Sequence, residues 1–216
     1  MNRLLSGLYA VTPEMADSIA LAAKVEAALR GGAGIIQYRS KSANMALRRE
    51  QGASIARLCR SWKATFIVND SAELARELDA DGVHLGKDDV AVGAARALMA
   101  PGKLIGVSCY NEIGRARQAQ AQGADYVAFG SFFASPTKPA APAAGAELLR
   151  LAATELALPV VAIGGIDTDN APALIAAGAD CVAVVSALFD ATDIEAQARR
   201  FACLFNVQVP LMGKQA

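Results

Sequence analysis

One histidine, His84, stands in 216 residues. Ser-His-Asp chemistry has no other base to draw on, and His84 lies inside a short apolar run, GVHLG, where a structural role is the plainer reading. The four cysteines, Cys59, Cys109, Cys181 and Cys203, form no CxxC and no Cys–His ligand spacing, which removes the zinc and dithiol motifs and suggests reduced thiols in a cytoplasmic setting. Net charge is zero and no block of like charges stands out, so an extended nucleic-acid surface is excluded; a small basic pocket is not. Long apolar runs are missing too: each is short and broken by glycine, so no membrane span is expected. The opening MNRLLSGLYAV is interrupted by Ser6 and Gly7 and has no clean small-x-small site, and it reads as a first strand rather than a signal peptide. Finally, no GxGxxG follows that strand, which counts against a doubly wound dinucleotide-binding sheet.

What the chain does contain is a regular alternation. Eight runs read as strands: GLYAVT, GIIQYRS, TFIVND, GVHLG, LIGVSCY, YVAFGSFF, PVVAIGGI and CVAVVSAL. Each is nearly continuous in apolar character, as strands covered on both faces are. Between them lie segments such as SIALAAKVEAALR, MALRREQGASIARLCR and DNAPALIAAG, whose apolar residues recur at three and four. GGAGIIQYR, LDADGVHLG, QGADYVAFG and AGADCVAVV echo one another, and each suggests a helix end, a glycine with positive φ and then a buried strand. Eight βα units in series predict an α/β fold, a single-domain (β/α)8 TIM barrel over residues 1–206. The closing VQVPLMGKQA, residues 207–216, has no period and is expected to be a loosely held tail.

A barrel of this kind collects its working residues at the C-terminal ends of its strands. Polar residues fall there repeatedly: Thr12; Gln37, Arg39 and Lys41; Asn69 and Asp70; Lys87, Asp88 and Asp89; Ser108; Ser135, Thr137 and Lys138; Gly164 and Gly165; and Ser186, which closes the last strand. Alternation along a strand would point Gln37, Arg39 and Lys41 the same way, and one amide with two cations suits an anion rich in oxygens, such as a pyrophosphate. Asp70 and Asp89 are expected to converge and hold Mg²⁺; the competing reading makes Asp88 or Asp89 a helix N-cap. Gly164–Gly165 and Ser186 suggest a phosphate site, with a tight turn as the alternative for the glycine pair. Trp62 is expected to pack at a helix end, and Cys109 to face the barrel wall, opposite Ser108.

At these positions the chain resembles the thiamine-phosphate synthases. The resemblance rests on LYAVT, QYRSK, VNDSAELA, DGVHLGKDD, IGVS, GADYVAFGSFFASPTK, PVVAIGGI and GADCVAVVSAL, in order, from Leu8 to about Phe205. It implies a transferase that joins a hydroxymethylpyrimidine diphosphate to a hydroxyethylthiazole phosphate, plain or carboxylated, and releases pyrophosphate. It also implies roles: Gln37, Arg39, Lys41, Asn69, Ser108 and Lys138 for the pyrimidine diphosphate; Ser135, Thr137, Gly165, Val185 and Ser186 for the thiazole phosphate; Asp70 and Asp89 for Mg²⁺. Arg39, Lys41, Lys138 and Ser108 would carry catalysis. Three positions depart from the family pattern: Lys87 replaces a glutamine, Ser135 a threonine, and Tyr110 a histidine.

The partners implied are the two small-molecule substrates, with no nucleic acid and no membrane, and self-association is left open. Two other readings share the barrel: a thiazole tautomerase, which would move a proton with a pocket histidine, and a non-catalytic phosphate-ligand sensor. The stretch SPTKPAAPAAG after strand 6 is expected to divide into a charged clamp and a soft hinge that orders over bound substrates.

Overall fold

The computed structural model describes residues 5–133 and 144–206. Eight parallel strands close in sequence order, each neighbour hydrogen-bonded to the next and β8 returning to β1. The first half runs β1 (Gly7–Val11), α1 (Ser18–Arg30), β2 (Ile35–Tyr38), α2 (Met45–Trp62), β3 (Thr65–Asn69), α3 (Ala72–Glu77), β4 (Gly82–Leu85) and α4 (Val92–Leu98). The second half runs β5 (Leu104–Tyr110), α5 (Ile113–Ala121), β6 (Tyr126–Phe129), α6 (Ala146–Glu155), β7 (Val160–Ile163), α7 (Ala171–Ala176), β8 (Cys181–Val184), α8 (Ser186–Phe189) and α9 (Ile194–Asn206). The barrel expected from eight βα units is the observed architecture. The predicted clamp, the hinge as far as residue 143, and the tail 207–216 lie outside the described residues; at the end of the hinge the Ala144 N–H donates to the Ser131 carbonyl at 2.7 Å and Gly145 caps α6.

Strand alternation sorts the core into two layers. Leu8 and Ala10 of β1, Val83 and Leu85 of β4, and Val127 and Phe129 of β6 face the helices. Tyr9, Val11, Ile67, Tyr126, Ala128, Val161 and Ala183 fill the barrel interior. On β5, Cys109 belongs to the outer layer and is fully buried, opposite Ser108 as expected. Trp62 does not pack into the core: it closes α2 with 44 % of its surface exposed.

The sequence echo has a physical basis, with one correction. Gly32, Gly123 and Gly178 take the positive φ that was expected of the glycines. In LDADGVHLG that conformation falls to Asp79, at φ +49°, while Gly82 sits inside β4, where a Cβ would meet the Leu104 carbonyl at 2.5 Å and Ile67 Cδ1 at 2.8 Å. The echo also carries an aspartate that sequence reading passed over. Asp81, Asp125 and Asp180 stand just before the even strands β4, β6 and β8. Each carboxylate accepts the backbone N–H of a residue opening the preceding strand: Phe66 at 2.8 Å, Ile105 at 2.7 Å and Val160 at 2.8 Å. Each aspartate N–H also donates to the carbonyl of that same residue. Three repeats of one clasp thus satisfy the strand starts at the N-terminal rim, away from the mouth.

Candidate functional site at the barrel mouth

Two polar clusters occupy the C-terminal end of the barrel, and each contains residues singled out from sequence. The first gathers the loops after β2, β3 and β4. Lys41 Nζ donates to Asp70 Oδ2 at 2.5 Å. Asp70 adopts a left-handed backbone, φ +67°, and its N–H donates to the His84 carbonyl at 2.8 Å, so the turn after β3 is tied to β4. Asp89 Oδ2 accepts the Gly86 N–H at 2.6 Å, which folds the loop after β4 back on itself. Burial raises the Asp89 carboxyl pKa; the Gly86 N–H opposes the shift, and the neighbouring Asp70 carboxyl adds to it. The two aspartates therefore converge, and the N-cap reading is set aside: α4 begins after Ala91 with no side-chain cap, and Ser71 rather than Asp70 caps α3. Lys87 is exposed in the turn between Gly86 and Asp89.

Gln37, Arg39 and Lys41 do not share strand alternation as expected, because β2 ends at Tyr38. Gln37 alone follows strand alternation, and it is largely buried, its amide nitrogen donating to Tyr9 inside the barrel. Arg39 and Lys41 belong to the loop, held by Thr12, a strand-end residue already singled out from sequence, and by Glu14, which carried no signal there. The Arg39 N–H donates to Thr12 Oγ1 at 2.9 Å, and that hydroxyl donates to the Arg39 carbonyl at 3.2 Å. Glu14 accepts from Ser40 Oγ at 3.0 Å and from the Lys41 N–H at 2.8 Å. Gln51 secures the same segment from behind, accepting from Tyr38 and donating to the Met15 carbonyl.

The second cluster runs through the interior. Gln37 Nε2 donates to Tyr9 Oη at 2.8 Å, Tyr9 Oη meets Tyr126 Oη at 2.9 Å, Tyr126 Oη meets His84 Nδ1 at 3.1 Å, and His84 Nε2 meets Ser108 Oγ at 2.8 Å. Burial pushes the His84 pKa down to about 4, with Asp70 opposing the shift, so the ring is neutral near pH 7. Burial likewise raises both tyrosines. His84 lies within β4, as expected, and it touches a candidate site residue. Asn69 ends β3 opposite His84 in register. Tyr110, where a histidine is usual, ends β5 with φ +55°; Arg115 lies over its ring at 5.5 Å and donates through Nε to the Ser108 carbonyl at 2.9 Å.

The β7 and β8 ends are adjacent, since Ile163 pairs with Ala183. Gly164 and Gly165 both take positive φ, and a Cβ on Gly164 would lie 2.0 Å from Ser131 Oγ. The tight-turn reading of the pair therefore holds whatever else it does. Strand β8 stops at Val184, so Ser186 does not close the strand but opens α8, with Val185 as its cap. Ser135, Thr137 and Lys138 lie outside the described residues. Among the described residues no group of three or more His, Cys, Asp and Glu side chains could hold a metal ion, and no helix is long and apolar enough to cross a membrane. A groove between α1 and α2, lined by Ile19, Arg57 and Leu58 among others, lies on the outer wall and shares no residue with the mouth.

Comparison with known proteins adds to this geometry. Residues 8–188 match the family model described as thiamine monophosphate synthase. The chain is 53% identical over 202 residues to the thiamine-phosphate synthase of Methylobacillus flagellatus, covering 94% of this chain and 96% of the relative. It is 52% identical over 208 residues to that of Thiobacillus denitrificans, with 96% and 99% covered. Among solved structures, the thiamine phosphate pyrophosphorylase from Pyrococcus furiosus superposes with a TM-score of 0.83 at 36% identity, covering 93% of this chain and 95% of that one. The chain is a transferase and belongs to the thiamine monophosphate synthase family.

Proposed function

We propose that this chain condenses hydroxymethylpyrimidine diphosphate with hydroxyethylthiazole phosphate to give thiamine phosphate and pyrophosphate. Family membership carries the reading. One observation of the mouth supports it most: Lys41, Asp70 and Asp89, from three successive loops, form a mixed-charge cluster suited to a diphosphate and a divalent cation. The donor set fits Mg²⁺, which takes hard oxygens, often one or two carboxylates, and keeps several waters while a phosphate group supplies the rest. Asp70 and Asp89 would hold it. When bound, Mg²⁺ supplies positive charge against the diphosphate oxygens.

The chain's own residues perform the remaining work. Arg39 and Lys41, their loop fixed by Thr12 and Glu14, neutralise the departing pyrophosphate, and Lys138 adds a third cation. Gln37, Asn69 and Ser108 orient the pyrimidine. The C–O bond to the diphosphate breaks first, leaving a pyrimidine-methyl cation stabilised by its ring amino group. The thiazole nitrogen then attacks; it carries no proton, so no strong general base is required. Ser135, Thr137, Gly165, Val185 and Ser186 hold the thiazole phosphate. Preorganised charge and positioning supply the rate. A tautomerase reading finds no free histidine, because both ring nitrogens of His84 are engaged.

Arg39→Ala and Lys138→Ala should each cut turnover by about a hundredfold or more, while the distant Arg150→Ala leaves it unchanged. Near wild-type turnover in both site variants overturns the assignment. On the same reading residues 1–206 form the catalytic domain of a cytoplasmic enzyme.

A further inference from the structure

We propose that His84 and Tyr126 are positioning residues for Ser108: the buried chain Gln37–Tyr9–Tyr126–His84–Ser108 is a one-way hydrogen-bond relay that fixes His84 as its Nε2–H tautomer and presents the Ser108 hydroxyl as a donor. Substrate contact by Ser108 rests on the function proposed above; the relay itself does not.

Counting hydrogens sets the direction. The four links have lengths between 2.8 and 3.1 Å, and each needs one hydrogen. Gln37 Nε2 supplies the first. The Tyr9 hydroxyl then has its hydrogen for Tyr126, and Tyr126 has its own for Nδ1. A neutral ring carries its single hydrogen on Nε2 and gives it to Ser108 Oγ. Every link is filled once, and the Ser108 hydrogen remains for whatever occupies the mouth. The opposite tautomer breaks this order. Nδ1–H would donate to Tyr126, Tyr126 would turn to Tyr9, and Tyr9, already accepting from Gln37, would have no further hydrogen-bond partner among the described residues. Tyr9 and Tyr126 are 1% and 0% exposed, so water does not rescue the stranded hydroxyl.

The barrel is shaped to keep the relay in line. Gly106 of β5 faces the Tyr126 ring, where a Cβ would fall 2.0 Å from Cζ, so only glycine leaves room for it. His84 stacks on the same ring, centroids 5.6 Å apart at 30°. The order also joins the two ends: with the Gln37 amide donating inward, its carbonyl is the group left for a ligand, and Ser108 is left as a donor. A substrate presenting a donor near Gln37 and an acceptor near Ser108 matches both at once.

Because His84 is the sole histidine, a ¹⁵N long-range correlation spectrum of the ligand-free protein reads its tautomer without ambiguity. The relay predicts Nε2–H, with Nδ1 a hydrogen-bonded acceptor whose resonance moves toward that of a free ring nitrogen in Tyr126→Phe. An Nδ1–H ring in the wild type overturns the relay, with no substrate needed. The second arm is a double-mutant cycle on kcat. Tyr126→Phe should lower kcat about tenfold in the wild type and leave the Ser108→Ala enzyme unchanged, since it acts through that hydroxyl. An equal loss in both backgrounds contradicts the relay. Should the protein lack synthase activity, the proposed function fails while the spectrum still decides the relay.

Discussion

Lys41 Nζ lies 2.5 Å from Asp70 Oδ2, joining a cation assigned to the diphosphate with a carboxylate assigned to Mg²⁺. The Lys41 side chain is 60% exposed and that of Asp70 28%, so the pair contributes little to stability, about 0 to 1 kcal/mol. On the proposed function, its role is at the diphosphate and Mg²⁺ site. Asp70→Asn should therefore melt close to the wild type, lose about a hundredfold or more in turnover, and need more Mg²⁺ for half-maximal rate. Initial rates across a Mg²⁺ series, beside a thermal melt, check this.

His84 gives a pH dependence whose sign can be worked out. Its folded pKa is about 4 against an ordinary 6.5, so between those values the unfolded chain binds a proton that the folded chain does not. Stability from this group is complete above about pH 6.5 and is lost as pH falls toward 4, roughly 2 kcal/mol of it by pH 5. Urea unfolding at pH 7 and pH 5 should show this loss in the wild type and a smaller one in His84→Gln.

The rim clasps predict a separation of stability from activity. Asp180→Ala leaves the Val160 N–H without its carboxylate partner at the far end of the barrel from the mouth. Unfolding free energy should fall by about 1 to 3 kcal/mol, with turnover per folded molecule retained.

Two glycines should respond in opposite ways. Gly106→Ala forces a Cβ into the Tyr126 ring and should destabilise by about 3 kcal/mol or prevent folding. Gly93→Ala, in α4 with nothing within 4 Å, should be neutral or stabilising by roughly 0.5 to 1 kcal/mol. Chemical denaturation of both variants checks the contrast.

The fold was legible because each strand of a parallel barrel is buried on both faces and each helix on one, so periodicity reports the architecture directly. Residues at strand ends were legible for the same reason: position along a strand predicts which end of the barrel a side chain reaches. The partners of those residues were not legible. Glu14 reaches Lys41 because β1 and β2 lie side by side, and Tyr126 reaches Tyr9, 117 positions away, across the barrel interior; local pattern carries no trace of either contact. His84 shows the limit most clearly. Its strand position foretold a place within the barrel wall, but its bond to Ser108 depends on β4 and β5 lying side by side. The three aspartates before β4, β6 and β8 were visible as letters of the repeat, yet their task belongs to the strand before each of them.

The central claim is the condensation itself, and pyrophosphate release measures it most directly. Release, matched one for one by thiamine phosphate, is expected only when the pyrimidine diphosphate, the thiazole phosphate and Mg²⁺ are all present. Equal release without the thiazole phosphate, or turnover of a thiazole substrate without the pyrimidine diphosphate and Mg²⁺, would contradict it.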